Sequence, residues 1–115
     1  MRLVDRVNPI TRGELTLMSS AMFGDLVKAV VDIRREVMAV DAELHADEEA
    51  FLLGEGSAHE DLWGINLYPA LHGNDFVEFD SMINLRPSRG NRSRGVEDAA
   101  IRERILTIVG GIVST

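Results

Sequence analysis

The sequence predicts a single α+β domain over residues 1–115, in which two to three helices pack on one face of a mostly antiparallel sheet of four to five strands. Three observations predict this class. Apolar and polar residues alternate over several short segments, as they do in half-buried strands. Apolar residues recur at helical spacing in two other segments. The predicted strands follow each other closely, which favours antiparallel pairing and the element order β-α-β-β-α-β-β-α.

The N-terminal segment contains a predicted strand and a predicted helix. Arg2–Val7 is typical of a short strand. Thr11 and Glu14 have the spacing of a capping box, in which the threonine accepts from the helix backbone and the glutamate reaches back to the threonine N–H. Leucine and methionine then follow at helical spacing. Gly24 is a plausible end for this helix, because glycine adopts left-handed backbone conformations at low cost.

A hairpin and a second helix are predicted next. The segment Leu26–Ile33 alternates valine and alanine with polar residues, Arg34 and Arg35 provide a turn, and Glu36–Val40 returns as the second strand. Ala46–Leu53 is predicted to be a short helix, because the acidic residues in its first turn are favoured by the positive end of the helix dipole.

The C-terminal half predicts two further strands and a helix. Asp61–Tyr68 is the third main strand, Phe76–Arg86 is a long fourth strand, and Pro87–Gly95 is an irregular loop. An amphipathic helix from about Glu97 to Val113 completes the domain. The inward-facing positions predict one core, made of Val27, Val31, Ile33, Trp63, Ile65, Leu67, Val77, Phe79, Ile83, Leu85, Ile101, Ile105 and Ile108.

The composition argues against cysteine-based sites, membrane-spanning segments and a signal peptide. The chain has no cysteine, which excludes disulfides, thiolate metal sites and a cysteine nucleophile, and fits a reducing compartment. No apolar run approaches the ~18 residues that a membrane span needs. The first residues contain no continuous apolar stretch of the kind found in signal peptides. We therefore expect a cytoplasmic protein without a membrane partner.

The charges are unevenly distributed along the chain. The net charge is −7. Residues 36–85 carry twelve acidic side chains and no lysine or arginine, whereas residues 86–115 carry six arginines against three acidic residues. An overall negative charge argues against general affinity for nucleic acids, so any recognition of an anion must use the local arginine cluster.

A family resemblance runs through four stretches, which read LVKAVVDIRR (residues 26–35), ELHADEEAFLLGEGS (43–57), DLWGINLYP (61–69) and EFDSMINLRPSRGNRSRGVED (78–98). Over roughly residues 26–113 the chain resembles a family of small bacterial proteins known as a domain of unknown function. The resemblance implies a shared fold and a bacterial source. It implies no activity, ligand or catalytic residue.

Acidic residues and a histidine at the start of the second helix are one candidate metal site. If this segment is helical, His45 and Glu49 lie one turn apart, and Glu43 and Asp47 form a second such pair. The same residues are more typical of a solvated helix start, where the positive end of the helix dipole favours carboxylates. The sequence contains no HExxH motif, and the other two histidines are in predicted loops. We expect no bound metal and no cofactor.

The second candidate site is the polar face of the predicted sheet. Its members are the outward-facing residues of the strands, namely Lys28, Asp32, Asn66, Tyr68, Glu78, Asp80, Asn84 and Arg86. Carboxylates beside Lys and Arg can perform acid–base chemistry or bind a polar ligand. An ordinary half-solvated sheet has the same pattern, with cross-strand charge pairs. The assignment also requires that no bulge at Ser81 reverses the alternation.

The third candidate site is the arginine loop, residues 86–95, which lies just before the last helix. Its candidate anion-binding residues are Arg89, Asn91, Arg92, Ser93 and Arg94. Guanidinium groups, hydroxyls and free backbone amides are the donors that phosphate and carboxylate recognition uses. No aromatic residue lies among them, so base stacking is not indicated. Alternatively, the arginines neutralise the acidic middle segment of the chain.

These patterns favour a small non-enzymatic binding or regulatory module that recognises an anionic ligand or partner through the arginine loop. Two alternatives stay open. One is a hydrolase or nuclease-like enzyme that uses carboxylates on the polar sheet face, and the other is a component of a toxin–antitoxin pair or another assembly. We expect a homo-oligomer and, as partner, an anionic small molecule or an acidic protein rather than nucleic acid.

Overall fold

A computed structural model describes all 115 residues. The strands are β1 (Arg2–Val4), β2 (Ile10–Thr11), β3 (Val27–Asp32), β4 (Val37–Val40), β5 (Leu62–Leu67), β6 (Val77–Glu78) and β7 (Val113–Ser114), and the helices are α1 (Arg12–Ala21), α2 (His45–Gly54) and α3 (Ala99–Ile112). Five strands form one antiparallel sheet in the order β1-β4-β3-β5-β6, while β2 and β7 form a small parallel pair. The α+β class with a mostly antiparallel sheet is confirmed.

The start of α1 is the predicted capping box. The N–H of Glu14 donates to Thr11 Oγ1 at 3.0 Å, and the N–H of Thr11 donates to Glu14 Oε1 at 3.1 Å. Each bond satisfies a backbone donor that has no partner within the helix. Shortly after α1 ends, Gly24 has a φ of 93° and its N–H donates to Ser19 O at 2.7 Å. This left-handed conformation explains the glycine at that position.

The turn between β3 and β4 is organised by a buried carboxylate. Asp32 Oδ1 accepts from the N–H groups of Arg34 and Arg35, both at 2.9 Å, while Oδ2 accepts from Ser57 Oγ at 2.6 Å. Glu36 follows with a φ of 58°, which closes the turn. The predicted hairpin is confirmed, and the side chain of Asp32 belongs to its turn.

Both faces of the sheet are covered by helices. Helices α1 and α3 pack on one face and form the larger core cluster with alternate residues of β3, β4 and β5. Helix α2 packs on the opposite face, where Leu52 contacts a smaller cluster that includes Val30, Val37 and Leu62. The prediction of an uncovered polar face is therefore wrong. Val30 and Val31 are both fully buried, and adjacent apolar residues of this kind are typical of a strand that is covered on both sides.

The predicted long fourth strand is also wrong, because β6 ends after Glu78 and a short 3-10 turn occupies residues 82–84. Beyond β6, the edge of β5 has no neighbouring strand, and side chains form the hydrogen bonds to its backbone. Asn84 Oδ1 accepts from the Gly64 N–H at 2.8 Å, Asn84 Nδ2 donates to Gly64 O at 2.9 Å, and Arg86 Nη2 donates to Leu62 O at 2.6 Å. The amide of Asn84 thus makes the two bonds that a neighbouring strand would make.

Gly64 permits this close approach, because a Cβ there would lie only 2.5 Å from the Cβ and Oγ atoms of Ser81. Because the chain is not a strand immediately after β6, the core also differs from the predicted one. Leu85 is exposed, and Ile83 packs against the smaller cluster. The other predicted core residues belong to the larger cluster, although Ile33, Phe79 and Ile101 are only partly buried.

Replacing Asn84 by Ala is expected to lower the free energy of unfolding by ~1–3 kcal/mol, because it leaves buried backbone groups of Gly64 without partners. Urea denaturation measures this change. Asn74 is an exposed control whose side chain makes no hydrogen bond, so Asn74→Ala is expected to have almost no effect. Equal stabilities for the two variants would contradict the role of Asn84 at the edge of β5.

None of the helices has the length and apolar character that a membrane crossing requires.

Candidate functional site

Two clefts contain most of the polar residues that the sequence singles out. The first, named here the Arg86 cleft, has a volume of about 300 Å³ and lies between the arginine loop and the start of α3. The second, named the His45 cleft, has a volume of about 210 Å³ and lies between the start of α2 and the segment that follows β6.

A buried guanidinium group lies at the centre of the Arg86 cleft. Arg86 is only 6% exposed, and its guanidinium carbon lies 4.9 Å from the centroid of the Trp63 ring. Nη2 donates to Leu62 O and lies 3.6 Å from a carboxylate oxygen of Glu49. Nε and Nη1 have no hydrogen-bond partner. Trp63 is equally buried, and its Nε1 also has no partner. These two neighbouring side chains therefore have three buried donors without a hydrogen-bond partner.

The electrostatics of this group favour a negatively charged neighbour. Burial lowers the pKa of Arg86, whereas the Glu49 carboxylate acts in the opposite direction. Arginine nevertheless stays protonated at neutral pH, because its intrinsic pKa is very high. A buried donor without a partner costs ~1–3 kcal/mol, and more when the group is charged. An anion in the cleft would recover this cost.

The rim of the Arg86 cleft carries charges of both signs. Arg89 follows Arg86 in a short 3-10 turn that ends at Gly90, which has a φ of 84°. The side chains of Arg89 and Glu60 line the cleft, and both residues are exposed. Neither side chain makes a hydrogen bond or an ion pair, so both are free to contact a ligand.

The predicted anion-binding residues of the arginine loop lie in different places and have different partners. Asn91 is buried, and its amide donates to Asn84 O at 2.7 Å and to Gly95 O at 2.8 Å, which maintains the loop conformation. Arg94 turns away and donates to Asp80 Oδ1 at 2.7 Å. The Arg92 side chain is exposed and makes no hydrogen bond or ion pair, and Ser93 Oγ accepts from the Gly95 N–H. Of the five predicted residues, only Arg89 and Asn91 line the Arg86 cleft.

The candidate polar face is divided in the same way. Asp32 is the last residue of β3 and its side chain binds the hairpin turn, whereas Asn84 and Arg86 lie along the edge of β5. Asn66 Nδ2 and the Tyr68 hydroxyl donate to Glu78 Oε1 at 2.9 and 3.0 Å. This arrangement raises the pKa of Tyr68, through burial first and then through Glu78.

The His45 cleft combines a histidine with residues of the polar face. Lys28, Asn66, Asp80 and Arg94 line it together with His45. The backbone carbonyl of Ile65 lies 2.8 Å from His45 Nε2, so Nε2 carries a proton and donates, which leaves Nδ1 as an acceptor. Burial lowers the pKa of His45, although the hydrogen bond opposes this effect. The buried Oδ1 of Asn66 has no partner.

The predicted metal pairs at the start of α2 do not assemble into a larger ligand set. Glu49 points away from the His45 cleft and lies 3.4 Å from His59 Nε2 as well as beside Arg86. No group of three or more histidine, aspartate and glutamate residues has the geometry to hold a metal ion.

Two buried polar residues were missed by sequence reasoning. The sequence predicts Trp63 only as a core residue, although Trp63 lines the Arg86 cleft and its buried Nε1 has no hydrogen-bond partner. Glu48 is one of the acidic residues in the first turn of the predicted helix, where the sequence predicts solvated carboxylates, but it is fully buried. The signal for Glu48 is its spacing, because residues 48 and 52 lie one turn apart and the side chain of Leu52 faces the sheet.

Comparison with known protein families gives one finding. A family model described as a protein of unknown function (DUF5674) matches residues 4–112. This match confirms the resemblance to a domain of unknown function that the sequence suggested. No curated protein and no solved structure matches the chain.

Proposed function

We propose that this chain, which belongs to the DUF5674 family, is a small non-enzymatic module that binds the carboxylate or phosphate group of a small molecule in the Arg86 cleft. The observation that supports this function most directly is the buried guanidinium of Arg86, which has two nitrogens without partners beside the unpartnered Nε1 of Trp63. Buried donors that lack acceptors are uncommon in native proteins, and an anionic ligand would supply acceptors for Nε and Nη1.

The size and charge of the cleft support a small ligand rather than a polymer. A volume of about 300 Å³ lies at the lower end of the range for small-molecule sites. Only Arg86 and Arg89 contribute positive charge to the cleft, while the chain as a whole is acidic. Nucleic acid binding instead needs an extended row of basic residues. An acidic protein surface would meet the exposed Arg89 first, because Arg86 is only 6% exposed.

The hydrolase or nuclease alternative has less support in the geometry. Both carboxylate oxygens of Asp32 already accept hydrogen bonds from the hairpin turn and Ser57. Asp80 pairs with Arg94, and Glu78 accepts from Asn66 and Tyr68. Acid–base chemistry needs a carboxylate that is free to exchange a proton with substrate. No observation favours the toxin–antitoxin alternative over the binding module.

The proposal also includes the oligomeric state and the cellular location of the protein. We expect a homo-oligomer that acts in the bacterial cytoplasm. The absence of cysteine supports a reducing compartment. Analytical ultracentrifugation of the purified chain measures the oligomeric state.

Arg86→Met is expected to weaken anion binding at least about tenfold, because it removes the charged donor while keeping an unbranched side chain. Trp63 is the only tryptophan and lies against Arg86, so its fluorescence measures binding directly. Titrations with acetate and with inorganic phosphate distinguish the two anion classes. Arg86→Lys is expected to bind more weakly than wild type, because an ammonium cannot reproduce the planar donors.

Arg92→Met is the matched control, since it removes the same charge from the same loop but outside the cleft. It is expected to bind like wild type. If neither anion changes the Trp63 fluorescence of the wild-type protein, or if Arg92→Met weakens binding as much as Arg86→Met, the proposed function is wrong.

A further inference from the structure

The Arg86 cleft contains more negative than positive side chains, which a simple anion would not require. Arg86 and Arg89 share the cleft with three acidic residues, namely Glu60, Glu97 and Asp98. These carboxylates reduce the affinity of the cleft for a ligand that carries only negative charge, since nearby charges interact strongly in a partly buried site. The arrangement is complementary to a ligand that carries charges of both signs.

The three carboxylates differ in their freedom to contact a ligand. Glu97 Oε2 accepts from the N–H of Arg92, and Asp98 Oδ1 caps α3 by accepting from the Ala100 N–H at 2.8 Å. Each of these residues therefore has only one oxygen left. Glu60 makes neither a hydrogen bond nor an ion pair, so both of its oxygens are available. Glu60 is the carboxylate that a cationic group of a ligand would contact first.

The remaining wall of the cleft is apolar. Trp63 and Ile101 are its only large hydrophobic residues, and Ile101 lies on the first turn of α3. The cleft thus combines residues with buried, unpartnered donors, a free carboxylate and a small apolar surface. Its volume of about 300 Å³ suits a ligand of few heavy atoms.

We propose that the Arg86 cleft binds a small zwitterion of the amino acid class, with its carboxylate on Arg86 and Trp63 Nε1 and its ammonium group on Glu60. This inference rests on the proposed anion-binding function and specifies its ligand class. Arg89 lies beside the carboxylate and adds a second positive charge. An apolar side chain of the ligand contacts Trp63 and Ile101.

The test compares each ligand with a version that lacks one charge. Leucine carries both charged groups, isocaproate lacks only the ammonium, and leucinamide lacks the carboxylate. The wild-type protein is expected to bind leucine at least about tenfold more tightly than either analogue, as measured by Trp63 fluorescence and calorimetry. Alanine and propionate, compared in the same way, show how much the apolar wall contributes.

Glu60→Gln identifies the ammonium-binding residue. The variant is expected to bind isocaproate as wild type does, but to lose the preference for leucine over isocaproate. Glu103→Gln is the matched control, because Glu103 is exposed on α3, makes no hydrogen bond and lies outside the cleft. It is expected to keep the full preference.

The outcomes separate this inference from the function on which it rests. If the wild-type protein binds isocaproate as tightly as leucine, the zwitterion inference is overturned and anion binding stands. If Glu60→Gln keeps the preference, the assignment of the ammonium group is overturned. If neither leucine nor isocaproate, acetate or phosphate binds, both proposals are overturned, and Arg89 and Glu60 serve only as surface charges.

Discussion

Glu48→Gln is expected to make the protein more stable at neutral and alkaline pH, because the variant lacks much of the loss of stability that the wild-type protein shows as the pH rises. Glu48 lies on the face of α2 that packs against the sheet, and it is fully buried. Neither of its carboxylate oxygens has a hydrogen-bond partner. An uncompensated buried charge is costly, so the native state retains the protonated form.

The cost of burying the ionised carboxylate appears as a raised pKa of Glu48. Burial raises it from 4.5 to about 9. The backbone of Ala42 and the ammonium group of Lys28 lower it, whereas Asp41 and Asp47 raise it further. The amide of Ala42 is near enough to favour the ionised form without meeting hydrogen-bond geometry. These opposing effects are smaller than that of burial.

The direction in which stability changes with pH follows from the protonation of Glu48 in the folded and unfolded chains. Between about pH 4.5 and 9 the folded chain keeps this proton, while the unfolded chain has released it. Unfolding therefore releases a proton, and the free energy of unfolding falls as pH rises, by about 1.4 kcal/mol per pH unit for one group. Stability from this group is fully present below pH 4.5 and lost progressively up to about pH 9.

Urea denaturation of both proteins at about pH 6 and about pH 8 measures the effect. The difference in unfolding free energy between Glu48→Gln and wild type is expected to grow by about 3 kcal/mol over this interval. The comparison cancels the pH-independent cost of burying the amide. Glu43→Gln, which changes an exposed residue near the same helix, is expected to show no such growth. A constant difference between Glu48→Gln and wild type would mean that Glu48 is ionised in the folded protein.

The parts of the fold that the sequence predicts correctly depend on local signals. The capping box at Thr11 needs only residues close in the chain, and so does the hairpin between β3 and β4. The end of β6 depends instead on contacts distant in sequence. Asn84 bonds to Gly64 across twenty positions, and those bonds are available only after β5 has formed. Strand periodicity alone cannot show that a side chain takes the place of the backbone.

The sequence predicts which kinds of residue form the candidate site, but not where each of them lies in the fold. The sequence identifies the cluster of arginines, yet only the fold separates Arg86, which is buried against Trp63, from Arg94, which pairs with Asp80. The acidic rim comes from two distant segments, residue 60 and residues 97–98. An arginine-rich loop read in isolation therefore indicates an anion, whereas the assembled cleft indicates a ligand with two opposite charges.

Ile105→Ala is expected to lower the free energy of unfolding by ~2–5 kcal/mol, because it removes buried methyl and methylene groups and leaves a cavity. Ile105 lies in the middle of α3, is fully buried and belongs to the larger core cluster between that helix and the sheet. Several neighbours in this cluster are β-branched, and their side chains have few rotamers with which to fill the space.

Leu106 provides the matched control, because it is the next residue of the same helix but is 37% exposed. Leu106→Ala removes a similar number of carbon atoms and is expected to cost less than ~1 kcal/mol. Urea melts of both variants, with unchanged m-values, measure the two losses. A loss below ~1 kcal/mol for Ile105→Ala would place this residue outside the core. The packing of α3 against the sheet, which positions Ile101 at the edge of the Arg86 cleft, would then be wrong as well.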